Sequence, residues 1–462
     1  MSLIKSISGI RGTIGGKQGE GLSPIDVVRF TSAFGEFIKK KHNQKVKIVV
    51  GRDARISGDM INRLVNNSLI GMGIDVVDLG LSTTPTVEMA VPSMRAHGGI
   101  IVTASHNPRD WNALKLLNEK GEFISAQEGQ QVLHIADQNE MVFADVDNLG
   151  RYANYERFVQ EHIEKILALP LVDTEAIRSA GFRVVVDCIN STGGIALPPL
   201  LKALGVENVE LIHGDPTGEF AHNPEPVPAH LEEISQRVIT KKADVGFAVD
   251  PDVDRLAIVC ENGEMFGEEY TLVAIADYVL QHQKGNTVSN LSSSRALRDI
   301  SRNAGVEYYA AAVGEVNVVE KMKEVNAVIG GEGNGGVIYP ELHYGRDAMV
   351  GIALFLSYLA KTDKMVSGIR KQYPDYVIQK SKITLDEKMD VDALLNKIKE
   401  KYKLYPVNTL DGVKIEFDHE WVHLRKSNTE PIIRIYAESQ SKEKAAELAE
   451  RFVKELNELS QQ

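Results

Sequence analysis

Two cysteines are all that this chain of 462 residues contains, too few for a disulfide framework, and neither has a CxxC partner or a nearby histidine cluster. Cys188 and Cys260 each sit in an apolar, strand-like run, the setting of buried reduced thiols in a cytoplasmic protein. Basic residues are also in deficit. The formal net charge of −12 argues against a nucleic-acid partner, whose phosphates call for a basic excess, so an anionic small substrate would need a local basic pocket. The longest apolar stretch, Gly351 to Ala360, is interrupted by Ser357 and has about half the residues needed to cross a bilayer. Met1 to Gly16 lacks an apolar h-region and a small-residue cleavage site, so neither secretion nor membrane insertion is expected.

What is present is the balance of a globular protein, 43% hydrophobic and 25% charged. The length exceeds one ordinary core, and domains of about a hundred residues would number roughly four. Helical and strand-like patterns alternate: helix Val27 to Lys41, strand Lys47 to Val50, helix Asp59 to Gly71, then strands Ile74 to Leu79 and Gly99 to Val102. The rhythm returns at Val184 to Asp187, Val209 to Ile212 and His230 to Ile239, and again from about Tyr270. Short apolar strands separated by helices predict α/β sheets covered on both faces. Gly214 to Pro228 is rich in glycine and proline and reads as an ordered surface loop. After Val377 the pattern becomes α+β, closing on a helix from Ser441 with Ala445, Leu448, Phe452 and Leu456 on one face. Glu447–Arg451 and Glu450–Lys454 are expected to pair along that helix.

Four segments carry chemistry. Thr103-Ala104-Ser105-His106-Asn107-Pro108 follows an apolar strand, which presents a small hydroxyl on a turn where α/β sheets gather ligands, although the hexapeptide alone also fits a plain capped turn. Lys115 lies ten residues on. Asp250-Pro251-Asp252-Val253-Asp254-Arg255 places three carboxylates at alternate positions between two apolar strands. They would repel one another without a cation and suit a hard divalent ion, Mg²⁺ above all. Gly330-Gly331-Glu332-Gly333-Asn334-Gly335-Gly336 lets backbone approach a ligand, with Glu332 and Asn334 suited to sugar hydroxyls. It is no Walker sequence, since no Gly-Lys-Ser/Thr follows. Arg425-Lys426-Ser427-Asn428-Thr429-Glu430-Pro431, with Arg434 beyond, concentrates the donors a phosphate needs.

Taken in order, from Gly9-Ile10-Arg11-Gly12 through the Arg425 segment, these motifs resemble the active-site loops of the α-D-phosphohexomutase family, which includes phosphoglucomutase, phosphomannomutase and phosphoglucosamine mutase. The resemblance implies four domains around a central cleft, three similar α/β domains with mixed sheets and a smaller, mobile C-terminal α+β domain. Each would donate one loop: phosphoserine from 1–150, metal from 151–260, sugar from 261–375 and phosphate from 376–462. It implies that Ser105 is the phosphoserine, that Asp250, Asp252 and Asp254, with Ser105, hold Mg²⁺, and that Glu332 and Asn334 bind sugar. Arg425, Ser427, Asn428, Thr429 and Arg434 would grip the phosphate that is not reacting. Arg11 and Lys115 would contact the moving phosphoryl group, and Lys115 would serve as general acid or base if the cleft lowers its pKa. His106 would orient the turn.

The implied reaction interconverts hexose 6-phosphate and hexose 1-phosphate through a bisphosphorylated sugar, with hexose 1,6-bisphosphate as activator. The glycine segment lacks the Ser-Gly-His that many bacterial members carry after the glutamate, and looks like the archaeal-type phosphoglucosamine mutase branch, some of whose members accept glucose or mannose phosphates. Glucosamine phosphate is the favoured substrate, with a phosphomannomutase or phosphoglucomutase activity the alternative. An aspartate-dependent sugar phosphatase using Asp250, or a non-enzymatic sugar-phosphate sensor, would leave the Ser105 turn without a role. The partner expected is a small sugar phosphate, with assembly into a homo-oligomer left open.

Overall fold

Side chains on a strand alternate between faces, and that rule organises the first of four sheets in the computed structural model, which describes residues 2–6, 9–42, 44–384, 390–426 and 432–460. Its strands run in the order Leu3–Ser6, Gly9–Thr13, Trp111–Leu117, Gly98–Val102, Lys47–Arg52, Asp75–Leu81, Tyr152–Asn154. Ile48 and Val50 face one core with Phe30, Val65 and Ile135, while Val49 between them faces another with Val87 and Ala90. Helices therefore cover both sides. Tyr152–Asn154 pairs in parallel with Asp75–Leu81, so the first unit runs past residue 150, to Asn154. The first long helix is Pro24–Lys41, starting before Val27, because Ser23 and Asp26 form a reciprocal capping box with proline in the first turn.

The second sheet, Leu256–Cys260, Val245–Val249, Arg183–Asp187, Asn208–Ile212, and the third, Tyr308–Ala311, Thr287–Asn290, Ile329–Glu332, Gly336–Ile338, are both mixed. They share one hydrophobic core, in which Phe247 meets Phe355 edge-on at 6.2 Å between ring centroids. Phe355 belongs to the helix Ala348–Ala360, whose residues are buried from Ala348 through Leu359. Wedging between the two sheets is the reason for its continuous apolar run. No helix among the described residues is long and apolar enough to cross a membrane.

The last sheet is antiparallel throughout, in the order Val377–Thr384, Ile432–Ser439, Trp421–Lys426, Val413–Glu416, Val407–Asn408. Its core packs against Val391–Lys401 and Lys442–Ser460. In the closing helix Arg451 reaches forward to Glu455 at 3.3 Å and Lys454 to Glu458 at 4.0 Å, in place of the expected pairs with Glu447 and Glu450. Arg451 is drawn that way because Tyr402 and Glu455 meet there, and its Nη2 donates to the Tyr402 hydroxyl at 2.6 Å.

The loop from Gly214 to Pro228 is pinned by a buried carboxylate. Asp187 stands 3.0 Å from both His213 Nδ1 and His222 Nε2. The hydrogen bond to Asp187 raises His213, and His222 is also raised, burial opposing and Asp187 prevailing. Asp187 is lowered to about 2, the two imidazole bonds outweighing its burial. The raised histidines stabilise fully below their ordinary 6.5 and lose that contribution as pH rises through their folded values. Asp187 contributes above 3.8 and loses it as pH falls toward about 2. The loss of thermal stability in His222→Gln is expected to be largest between 3.8 and 6.5 and to shrink on the alkaline side; a pH-independent loss would refute the charged pin.

Candidate active site

The turn between Val245–Val249 and Leu256–Cys260 is held from three sides. Ser191 and Thr192 hydroxyls donate to the Pro251 carbonyl at 2.7 and 2.8 Å, Thr84 N–H to that of Asp252 at 2.9 Å, and Ala348 N–H to that of Val253 at 3.1 Å. Such bracing is needed because Val253 has φ of 63°, a costly region for a β-branched residue. The turn projects Asp250, Asp252 and Asp254 inward, all fully buried, with carboxylate atoms within 4.8 Å of one another.

Each aspartate meets a different neighbour. Ser105 Oγ donates to Asp250 at 2.6 Å, and Lys115 Nζ and Thr84 Oγ1 donate to Asp252 at 2.7 and 2.5 Å. Arg346 Nη2 donates to Asp254 at 2.6 Å. One oxygen of Asp252 and one of Asp254 remain buried with no hydrogen-bond partner. Orphaned buried oxygens cost free energy unless something cationic meets them, and an oxygen-only set of three carboxylates matches a hard divalent cation. Burial and the two neighbouring aspartates raise Asp250, whereas Asp254 is lowered, Arg346 and Lys115 overcoming its burial.

Lys115 departs from the sequence-based condition. Burial alone would lower it, but Asp252 and Asp254 raise it. Those two carboxylates favour its charged form. His106, 3.4 Å from Ser105 Oγ, is lowered well below the usual imidazole value by burial and then by Arg255. Arg11 is lowered by burial and by Arg255, and its Nη1 donates to Asn107 Oδ1 at 3.4 Å.

Glu332 ends the strand Ile329–Glu332 and accepts from Asn290 at 2.8 Å, from Gly314 N–H at 3.1 Å and from Arg346 at 2.7 Å. Asn334 Oδ1 accepts from Gly336 N–H at 3.2 Å. Between them the loop is tied to the aspartate turn, since Leu256 N–H donates to the Gly335 carbonyl at 3.0 Å. Gly335 has φ of 83°, and a Cβ there would lie 2.4 Å from the Leu256 carbonyl, so only glycine permits this approach.

A two-lobed cleft opens beside these groups, with the three aspartates buried behind Ser105 and Lys115. One lobe, about 640 Å³, contains Ser105, Lys115 and Lys5; the other, about 660 Å³, contains Asn334, Arg425 and Arg434; Arg11, His106, Arg255, Glu332 and Arg346 border both. Arg425 and Arg434 are cross-strand partners, and Lys382 is the partner of Arg434 on its other side. Like charges in register repel, and the only ion pair among the described residues at Arg425 is Asp411, at 3.0 Å. An anion at that wall would relieve the repulsion. Ser427, Asn428 and Thr429 lie outside the described residues.

Comparison with known proteins agrees along the whole chain. The models for phosphoglucomutase/phosphomannomutase α/β/α domains I, II and III match residues 3–142, 160–263 and 267–376, and that for the C-terminal domain matches 381–455. The chain belongs to this family. A Thermococcus kodakarensis protein named phosphoglucomutase/phosphomannomutase is 36% identical, covering 97% of this chain and 98% of its own. A probable phosphoglucosamine mutase of Methanopyrus kandleri is 31% identical over 96% of each. The crystal structure of a Burkholderia thailandensis phosphoglucomutase/phosphomannomutase family protein superposes with a TM-score of 0.85 at 26% identity, covering 99% and 97% of the two chains. The chain is thus a phosphohexomutase, an isomerase.

Within this family fold, sequence reasoning passed over Arg346, Thr84 and Glu315. Arg346 is the hub: its Nη1 binds Glu332, its Nη2 binds Asp254, and Glu315 lies 3.1 Å from Nε. The only signal was its Gly-Arg-Asp setting after the glycine loop. Removing one member of a buried ion pair costs about 3–5 kcal/mol, so Arg346→Met is expected to lower the unfolding free energy measured in urea by that much, and an unchanged value would contradict the hub. A cation at 100 times its Kd adds about 2.7 kcal/mol to folding. Mg²⁺ is accordingly expected to raise the melting temperature of the native chain but not of Asp252→Asn or Asp254→Asn, read by thermal shift.

Proposed function

We propose that the chain interconverts glucosamine 6-phosphate and glucosamine 1-phosphate, with Ser105 as the phosphoryl carrier. The observation that carries the mechanism is the 2.6 Å hydrogen bond from Ser105 Oγ to Asp250, inside a buried carboxylate trio with orphaned oxygens. In the forward direction the P–O bond of phospho-Ser105 breaks as the sugar 1-hydroxyl oxygen attacks phosphorus. The hydroxyl proton passes to a group of the cleft, and the Ser105 oxygen is left held by its neighbours. The bisphosphate then turns over and presents its 6-phosphate to Ser105 Oγ, which attacks phosphorus as the bond to the sugar 6-oxygen breaks; that oxygen takes up the proton released in the first half, leaving glucosamine 1-phosphate and a restored phosphoserine.

Asp250, Asp252 and Asp254 would hold Mg²⁺, which when bound offsets negative charge on the moving phosphoryl group. Lys115, a raised cation beside Asp252, is positioned to donate to an equatorial oxygen of that group, and Arg11 borders both lobes. Arg425 and Arg434 would hold the idle phosphate. They line the lobe that Ser105 does not, which gives a substrate two phosphate positions, and either end can occupy either place once the sugar turns.

The amino sugar is supported by the form of the glycine segment Gly330 to Gly336, which resembles that of the archaeal-type phosphoglucosamine mutase branch. The name of the Methanopyrus kandleri relative points the same way, while that of the Thermococcus kodakarensis relative supports glucose and mannose phosphates. A hexose 1,6-bisphosphate would prime Ser105 directly.

A coupled assay with Mg²⁺ and a trace of hexose bisphosphate tests the reading on the 6-phosphates of glucosamine, glucose and mannose. Isomerisation should be fastest with glucosamine 6-phosphate and should fall about 10³-fold or more in Ser105→Ala. Release of free phosphate that survives in Ser105→Ala would overturn it in favour of an Asp250 phosphatase.

A further inference from the structure

Arg55 borders neither lobe of the cleft, yet its guanidinium is fully buried and all five of its N–H groups are used. Nη1 donates to the carbonyls of Pro108 at 2.6 Å and Trp111 at 2.9 Å. Nη2 donates to those of Ser105 at 2.5 Å and Asn107 at 2.6 Å, and Nε to Asp53 Oδ2 at 3.1 Å. Asp53 completes a second hold on the same turn. It accepts from Thr103 Oγ1 at 2.6 Å, and that hydroxyl oxygen accepts from Ser105 N–H at 2.9 Å. Both backbone groups of Ser105 are therefore fixed by the pair.

Fixing is required, because Ser105 has φ of 48°. A residue in that region persists only where its surroundings over-determine it, and no other side chain among the described residues donates to the Ser105 carbonyl. The same tripeptide reaches the metal turn: Ala54 N–H donates to Ser191 Oγ at 3.3 Å, and Ser191 donates to the Pro251 carbonyl at 2.7 Å. From outside, the glycine- and proline-rich loop covers the clamp. Phe220 lies over the guanidinium at 5.1 Å from its ring centroid, and a Cβ on Gly218 would meet the Ala54 carbonyl at 2.0 Å. That loop, pinned by His222, also brings Glu225 to the edge of the sugar lobe.

We propose that Arg55 is a positioning residue that holds the Ser105 turn and registers it against the aspartate turn, with Phe220 as its cover. The inference rests on Ser105 being the phosphoryl carrier. Lysine cannot replace the arginine, since three donors on a point charge do not reach four carbonyls and a carboxylate. A misplacement of an ångström or so at a reacting atom costs about 10²-fold in rate while leaving remote binding contacts intact.

The test compares full-length wild type, Arg55→Lys, Arg55→Ala and Phe220→Leu with Mg²⁺ and glucose 1,6-bisphosphate. Ser105 phosphorylation is followed by intact mass and turnover by kcat and KM. Arg55→Lys is expected to lose about 10²-fold in kcat and in the phosphorylation rate with KM little changed, and Phe220→Leu to lose less. Added guanidinium should restore part of the loss in Arg55→Ala only. Wild-type phosphorylation and kcat in a folded Arg55→Lys would overturn the clamp alone, as would a loss in Phe220→Leu and Arg55→Ala that follows the unfolded fraction and ignores guanidinium. Failure of wild type to take phosphate on Ser105 would overturn the carrier reading and the clamp with it.

Discussion

Three aspartates buried within a few ångströms of one another are the constraint to which the rest of this protein answers. Moving even one carboxylate out of water is expensive, and a second and third beside it add repulsion that a low-dielectric interior does little to screen. The chain meets this with cations from elsewhere in the fold. Lys115 comes from the first sheet and Arg346 from the segment bridged to the third at Ile338, while the aspartates sit on a turn of the second. Two oxygens still lack a hydrogen-bond partner, that of Asp254 having only Arg255 Nε at 3.9 Å, and they suit a bound cation. The packing of the first three units around the cleft is thus a charge arrangement as much as a hydrophobic one.

Rigidity and openness are distributed accordingly. The second and third sheets share one core around Ala348–Ala360, so the aspartate turn and the sugar loop are carried on one packed body, joined by the backbone bond from Leu256 to Gly335. Strained residues, Ser105 and Val253, lie on the turns that this body and the first sheet support. The last sheet attaches by polar contacts, among them Lys414 Nζ to the Leu291 carbonyl at 2.9 Å and Arg295 beside Glu438 at 3.6 Å. Its basic wall faces the cleft with a core of its own behind it.

Much of the scaffold was readable in order along the chain. Short continuous apolar runs placed Gly98–Val102 and Arg183–Asp187 within a residue or so, because such runs report burial on both faces. The start of the first helix was harder to read, since Asp26 fills the capping-box position that glutamate or glutamine usually takes. The direction of the Arg451 pairing was misread because Tyr402 and Glu455, which attract it, meet only in the folded domain.

The short motifs by themselves determined the kind of chemistry: a hydroxyl on a turn, three hard oxygen ligands, a glycine-lined loop and a cluster of forked cationic donors. Those properties are local, being set by residue type and a few neighbours in sequence. Tertiary structure alone decided the charge state and aim of those groups. Lys115 is raised and not lowered because Asp252 and Asp254 outweigh its burial, and Arg346 is central because it meets Asp254 across 92 residues of chain. Thr84 joins the site from 168 residues away, and Arg55 reaches the Ser105 turn from 50. Electrostatic potential and hydrogen-bond geometry are sums over neighbours in space, and the order of residues along a chain does not list them.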